Sequence, residues 1–209
     1  MDGISFFIYS FMSLFVVVSP LSAVVTFISL TSKMTFDEKN EIANKAIVLA
    51  FLIALFFAFT GNIILELFSI NVDSLRVAGG ILLFSIAFDM MNAKISSERI
   101  TEEEIKQSEE REDIWVFPIA LPLLSGPGTI SAVIVLMGSA GGVDQKLIIV
   151  LAIVLTFAIC LVIFRFSRRI HKIIGYNGML VFTRLMGLFL AALAVDLVST
   201  GALNIVRNI

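Results

Sequence analysis

The chain has 209 residues, 58% of them hydrophobic and only 15% charged, with a formal net charge of −2 and a mean hydropathy of +1.01. A soluble domain carries about 25% charged residues, and one soluble core of this size has no room for the long apolar runs present here. A nucleic-acid partner is also excluded, because the basic residues are spread thinly instead of forming a patch.

In chain order the apolar runs are 4–30, 46–67, 75–92, 114–137, 147–166 and 179–206. Each reaches or approaches the ~20 residues that carry a helix across about 30 Å of hydrocarbon. Lipid offers the backbone no hydrogen bonds, so helices are required, and a barrel would show shorter segments of alternating polarity. The predicted fold class is an all-α membrane protein with six transmembrane helices and a lipid bilayer as its surroundings. Only Asp2 precedes the first run where a signal peptide would have a basic leader, so that run is expected to remain as a span. Cys160, the one cysteine, allows no internal disulfide.

The first run is interrupted by Ser19-Pro20-Leu21-Ser22 and the fourth by Ser125-Gly126-Pro127-Gly128-Thr129. Proline lacks an amide hydrogen and suits the first position of a helix, with serine or glycine capping it. Each run is therefore expected to be two half-helices meeting near the membrane centre. The unpaired amides and partial positive charge at such a helix start suit a carboxylate. The hydroxyls of Ser22 and Thr129, with nearby carbonyls, suit an ammonium group. A small zwitterion fits these requirements, and Ser19, Pro20, Ser22, Ser125, Gly126, Pro127, Gly128 and Thr129 are the candidate substrate-binding residues. A proline kink with no ligand is the plainer alternative.

The third and sixth runs repeat one another. Pro20 lies 60 positions before Gly80 and 69 before Asp89, and Pro127 lies 60 before Gly187 and 69 before Asp196. At the same offset of 107, Leu83 and Ala87 fall on Leu190 and Ala194. Three spans per half is an odd number, so the halves must enter the membrane from opposite sides. The expectation is two inverted repeats, 1–92 and 114–209, in one membrane domain, an architecture of secondary transporters. The joining segment, 93–113, is charged, with capping-box spacing at Thr101 and Glu104. Twelve of the fifteen Lys and Arg fall on the side of that segment, which predicts a cytoplasmic linker and both termini outside the cytoplasm. Trp115 is a candidate interface anchor. Asn62 and Glu66 are expected at the interface, and His171 in a solvated loop.

Four charges fall inside the third and sixth runs: Arg76, Asp89, Arg184 and Asp196. Intramembrane charges face cavities or partners. If the third and sixth spans lie side by side and antiparallel, Arg76 can bridge to Asp196 and Arg184 to Asp89, as gating pairs. The alternative is that the aspartates relay a coupling ion. No metal-ligand cluster, phosphate loop or nucleophile elbow appears, so no enzyme and no cofactor are expected beyond a coupling proton or sodium ion. A homo-oligomer is left open.

At these motifs the chain resembles the MarC family of integral membrane proteins over essentially its whole length. The most specific segment is FPIALPLLSGPGTI at 117–130, with AGGILLF at 78–84 and RLMGL at 184–188. The resemblance implies a transporter of small neutral amino acids such as glycine, alanine or serine, with one three-span repeat moving against the other. The family's first broken span commonly reads Asn-Pro-x-Gly with a later proline, where this chain has Ser19, Ser22 and Val25. Its sixth span often has glutamine in place of Asp196. A metabolite exporter, a channel and a non-transporting scaffold are the rival readings.

Overall fold

A computed structural model describes residues 2–92 and 113–207, and among the described residues every regular element is helical. The helices are α1 (Gly3–Val18), α2 (Pro20–Leu30), α3 (Phe36–Leu67), α4 (Val72–Met91), α5 (Trp115–Leu124), α6 (Pro127–Gly138), α7 (Val143–Arg165) and α8 (Ser167–Arg207). Five stretches are long and apolar enough to cross a membrane: Gly3–Leu30, Phe36–Leu67, Val72–Met91, Val143–Arg165 and Asn177–Arg207. Counted together, α5 and α6 make a sixth, bent by 52° at their junction. The charged linker and its expected helix at Thr101 and Glu104 lie outside the described residues, apart from Asp113.

Two helices are longer than their apolar runs. α3 starts ten residues before the run does, because Thr35 and Glu38 form a capping box. The Thr35 amide donates to the Glu38 carboxylate at 2.7 Å, and the Glu38 amide donates back to the Thr35 hydroxyl at 3.4 Å. At 1.5 Å per residue, its 32 residues extend about 48 Å, more than the hydrocarbon needs, so the first turns stand in water. Lys45 and Glu41 pair there at 2.6 Å. The Lys45 ammonium also lies 6.0 Å from the centre of the Trp115 ring, which joins α3 to α5 at this end. α8 turns at Gly175, whose φ of 69° suits a residue without a Cβ. His171, before that bend, is exposed.

α5 is irregular for a local reason. Phe117 and Leu121 each precede a proline, which disfavours the helical region, and both take extended angles near φ −125°. The Ser125 amide closes the segment by donating to the Ala120 carbonyl, five residues back, at 2.9 Å.

Apolar burial gives helices little reason to associate inside lipid, so close packing of small residues carries the assembly. α3 lays Ala43, Ala46, Ala50, Ala54, Ala58 and Gly61, three or four residues apart, against α5, α6 and α7. α4 packs along α8 over its whole length. A Cβ built on Gly80 would lie 2.9 Å from the Ala194 carbonyl oxygen, one on Gly187 would lie 3.0 Å from that of Ala87, and one on Gly201 would lie 2.8 Å from that of Asp73. As the α4 partner advances from 73 to 80 to 87, the α8 partner falls from 201 to 194 to 187, so the helices are antiparallel. Phe56, Phe59, Ile63, Leu188 and other large apolar side chains stay on the outside, where lipid would cover them.

Candidate functional site

The two interruptions build the candidate site. At the first, Ser19 takes the left-handed conformation (φ 46°, ψ 63°), and its amide ends α1 by donating to the Phe15 carbonyl at 2.9 Å. Pro20 then opens α2 from its first position. At the second, Gly126 caps α6 with extended angles and Pro127 takes its first position. A Cβ on Gly128 would lie 2.8 Å from Leu83 Cδ2 and 3.8 Å from Val17 Cγ1, so the start of α6 sits against the end of α1 under a lid from α4. The first amides of α2 and α6 have no carbonyl one turn back within their own helices. These two helix starts therefore bring positive partial charge to one region of the bundle.

The hydroxyls around the interruptions have defined partners. Ser19 Oγ donates to Ser22 Oγ at 2.8 Å, Ser22 Oγ to Thr183 Oγ1 at 3.3 Å, and Thr183 Oγ1 to the Met179 carbonyl at 3.0 Å. Ser125 Oγ donates to the Ala50 carbonyl of α3 at 2.6 Å, and Thr129 Oγ1 to the Leu124 carbonyl at 2.9 Å. Ser19, Ser125, Gly126, Gly128 and Thr129 are buried, Ser22 is half-buried, Pro20 is buried and Pro127 is exposed. Thr129 thus serves the helix junction directly, and Ser22 is the hydroxyl tied to a distant span. Sequence reasoning did not find Thr183, because a threonine one turn into an apolar helix carries no signal of its own.

Ser125 also gives a measurable structural expectation. Ser125→Ala removes the side-chain hydrogen bond that joins this interruption to α3, and hydrogen bonds between membrane helices contribute about 0.6 to 1.7 kcal/mol. The expected result is a small fall in thermal stability in detergent, measured by unfolding. No fall at all would mean that the alanine seam of α3 holds the junction unaided.

The four intramembrane charges do not form the pairs expected from their depth. The antiparallel register does set Arg76 near the level of Asp196 and Arg184 near that of Asp89, as the close contacts of Gly80 and Gly187 require. Arg76 nevertheless turns to Asp73 of its own helix, three residues earlier, and to Ser139 Oγ at the end of α6. Asn204 of α8 donates to the same Asp73 carboxylate at 3.1 Å. This cluster ties α4, α6 and α8 together, and neither Arg76–Asp196 nor Arg184–Asp89 is an ion pair among the described residues. The nearer partner wins because i,i+3 residues share a helix face. Asp89 is half-buried, and Arg184 and Asp196 are exposed. Asp196 lines an apolar groove of about 590 Å³ between α1, α7 and α8, together with Tyr9 and Ser13. Asn62, expected at the interface, has its side-chain oxygen buried and faces Gly138. Among the described residues no three His, Cys, Asp or Glu side chains converge as a metal site.

Comparison with known proteins matches residues 4–206 to the profile described as MarC family integral membrane protein. The chain is 39% identical over 198 residues to the UPF0056 membrane protein YvbG of Bacillus subtilis, covering 94% of each chain. It is 34% identical over 209 residues to UPF0056 membrane protein MJ0972 of Methanocaldococcus jannaschii, covering all of this chain and 92% of that one. It is 36% identical over 194 residues to UPF0056 membrane protein YhcE of Escherichia coli, covering 91% and 89%. No solved structure matches significantly.

Proposed function

The chain belongs to the MarC family of integral membrane proteins, and from that premise we propose that it is a secondary transporter of small neutral amino acids of the glycine, alanine and serine class. The observation that carries this reading is the approach of two proline-led helix starts, at Pro20 and Pro127, within one polar junction of an apolar bundle. Two helix N-termini suit a carboxylate, and the serine and threonine oxygens beside them suit an ammonium. Both groups of the zwitterion are then recognised by groups that the two helix starts bring together. No catalytic group and no cofactor are called for in this reading, only a coupling proton or sodium ion.

The proposed architecture is a pair of inverted three-helix repeats, 1–92 and 114–209, joined by a cytoplasmic linker at 93–113, with both termini outside. The contacts support it by reciprocity. Gly80 meets Ala194 and Gly187 meets Ala87, and each contact is converted into the other by the offset of 107. Likewise α2 packs on α8 as α6 packs on α4, and α1 on α7 as α5 on α3. The seams of α2 on α8 and of α6 on α4 are the natural gates for alternating access.

The test is uptake of labelled glycine, alanine and serine into proteoliposomes under imposed proton or sodium gradients. Saturable uptake that one gradient accelerates is the expected result. Flux that rises without saturation would favour a channel, and no flux above empty vesicles would favour a scaffold.

A further inference from the structure

The hydroxyl chain at the first interruption runs in one direction. Ser19, Ser22 and Thr183 each donate once along it, and the last proton goes to the Met179 carbonyl. What these oxygens have left to offer is lone pairs, so the cluster is an acceptor of further hydrogen bonds. Thr26 adds a second and independent observation. It is buried at 7% exposure and its hydroxyl has no partner. Thr31, Thr60, Thr156 and Thr183 all satisfy theirs by donating to the carbonyl four residues back, at 2.6 to 3.0 Å. Thr26 does not use that local acceptor. It lies four residues after Ser22 and seven after Ser19, hence on their face of α2, about one turn further from the helix start. A buried hydroxyl without a partner is costly, and this one lies on the helix face that carries the acceptor cluster, one turn beyond Ser22.

We infer that Thr183 and Thr26 are substrate-positioning residues that receive the ammonium group of the amino acid, with its carboxylate held at the start of α2. This deepens the transporter reading and rests on it. The division of labour is chemical. Backbone amides donate, so they take the carboxylate, and an ammonium has three donors and no acceptor, so it needs several oxygens at once. Ser22, Thr183 and Thr26 supply three. The equivalent of Thr26 in the second half is Val133, at the offset of 107, so the ammonium pocket belongs to one repeat only. The bound amino acid therefore has one orientation in spite of the pseudo-symmetry of the helices around it.

The experiment compares L-alanine with propionate, which keeps the carboxylate and the methyl group but has no ammonium. Uptake of labelled alanine into proteoliposomes is measured with each as competitor, in the wild type and in Thr183→Val, Thr26→Val and Thr183→Ser. The wild type should prefer alanine over propionate by at least about 100-fold. Each valine variant should raise the KM for alanine by about 10-fold, the usual size of a lost bond to a charged group. Inhibition by propionate should stay unchanged, so that the preference narrows, while Thr183→Ser should retain it. A purely structural role would weaken both ligands together or lower only the amount of folded protein, and that outcome overturns the inference. So does an unchanged preference in both valine variants. If the wild type itself takes up and binds no small amino acid, the transporter reading fails first, and the two failures are thereby told apart.

Discussion

Gly80→Leu or Gly187→Leu is expected to prevent recovery of a monodisperse folded protein. A Cβ at Gly80 would come within 2.7 Å of Val198 Cγ2 and 2.9 Å of the Ala194 carbonyl oxygen, and one at Gly187 within 2.9 Å of Met90 Cβ and 3.0 Å of the Ala87 carbonyl oxygen. In both places the obstacle includes backbone, which cannot rotate away as a side-chain tip can. Overpacking of a well-packed core by single methylenes already costs about 1–3 kcal/mol, and a leucine here would force the axes of α4 and α8 apart along their length. The loss should exceed about 3 kcal/mol, read as a collapse of the monodisperse peak and of the melting transition in detergent. Gly142→Leu is the control, since its extended backbone (φ −176°) accepts any residue and nothing lies within 4 Å of a Cβ there. Equal behaviour of Gly80→Leu and Gly142→Leu would mean that the helix seam does not hold the bundle together.

The second large effect is expected at the Asp73–Arg76 pair. Their side chains are 15% and 11% exposed, and the pair is embraced by Ser139 and Asn204 from two other helices. Arg76→Met leaves the Asp73 carboxylate poorly solvated and without its cation, and breaking such a pair costs about 3–5 kcal/mol. The position of Asp73 in the first turn of α4 offsets part of this, because a helix N-terminus favours negative charge. Arg76→Met should therefore be far more damaging than the double variant Asp73→Asn with Arg76→Met, in which no charge is stranded. Thermal unfolding of the two single variants and the double variant gives the coupling energy, which should exceed about 1 kcal/mol. A coupling near zero would show that water or lipid headgroups already screen the pair.

How far the sequence spoke depended on the kind of signal. Hydropathy marks what the bilayer needs, and so it located the spans. It does not mark where a helix stops, and the capping box at Thr35 and Glu38 carried α3 well beyond its apolar run. The positions of Pro20 and Pro127 were legible because proline restricts the backbone locally. The extended residues at Phe117 and Leu121 follow from the same rule, applied to Pro118 and Pro122. The offset of 107 marked Gly80 and Gly187 as equivalent positions, and both turn out to be close approaches of α4 to α8 that only glycine permits. The gating pairs were misassigned for a different reason. Depth along a helix was read correctly, but the direction of each side chain around the helix was not considered. Asp73 sits one turn from Arg76 on a shared face and takes the arginine before Asp196 can. Thr183 and Thr26 became visible only when the threonines were sorted by what their hydroxyls bond.

The seam between α4 and α8 bears on what can move. Its three glycine contacts, Asp73 to Gly201, Gly80 to Ala194 and Ala87 to Gly187, are spaced by seven residues on each helix. A seven-residue rhythm keeps two helices in register over about 21 Å of length. Val198 already fills the space beside Gly80, and Met90 that beside Gly187, so neither helix has room to slide along the other and the two behave as one strut. This strut takes one helix from each of the two proposed repeats. If those repeats swung as separate blocks, all three of these contacts would have to come apart. Under the transporter reading, the parts left to move against this beam are the short helices that begin at Pro20 and Pro127, with Ser19 and Gly126 as their hinges. On that reading the boundary between what stays and what moves cuts across the proposed repeats, and each contributes one stationary helix and one working hinge.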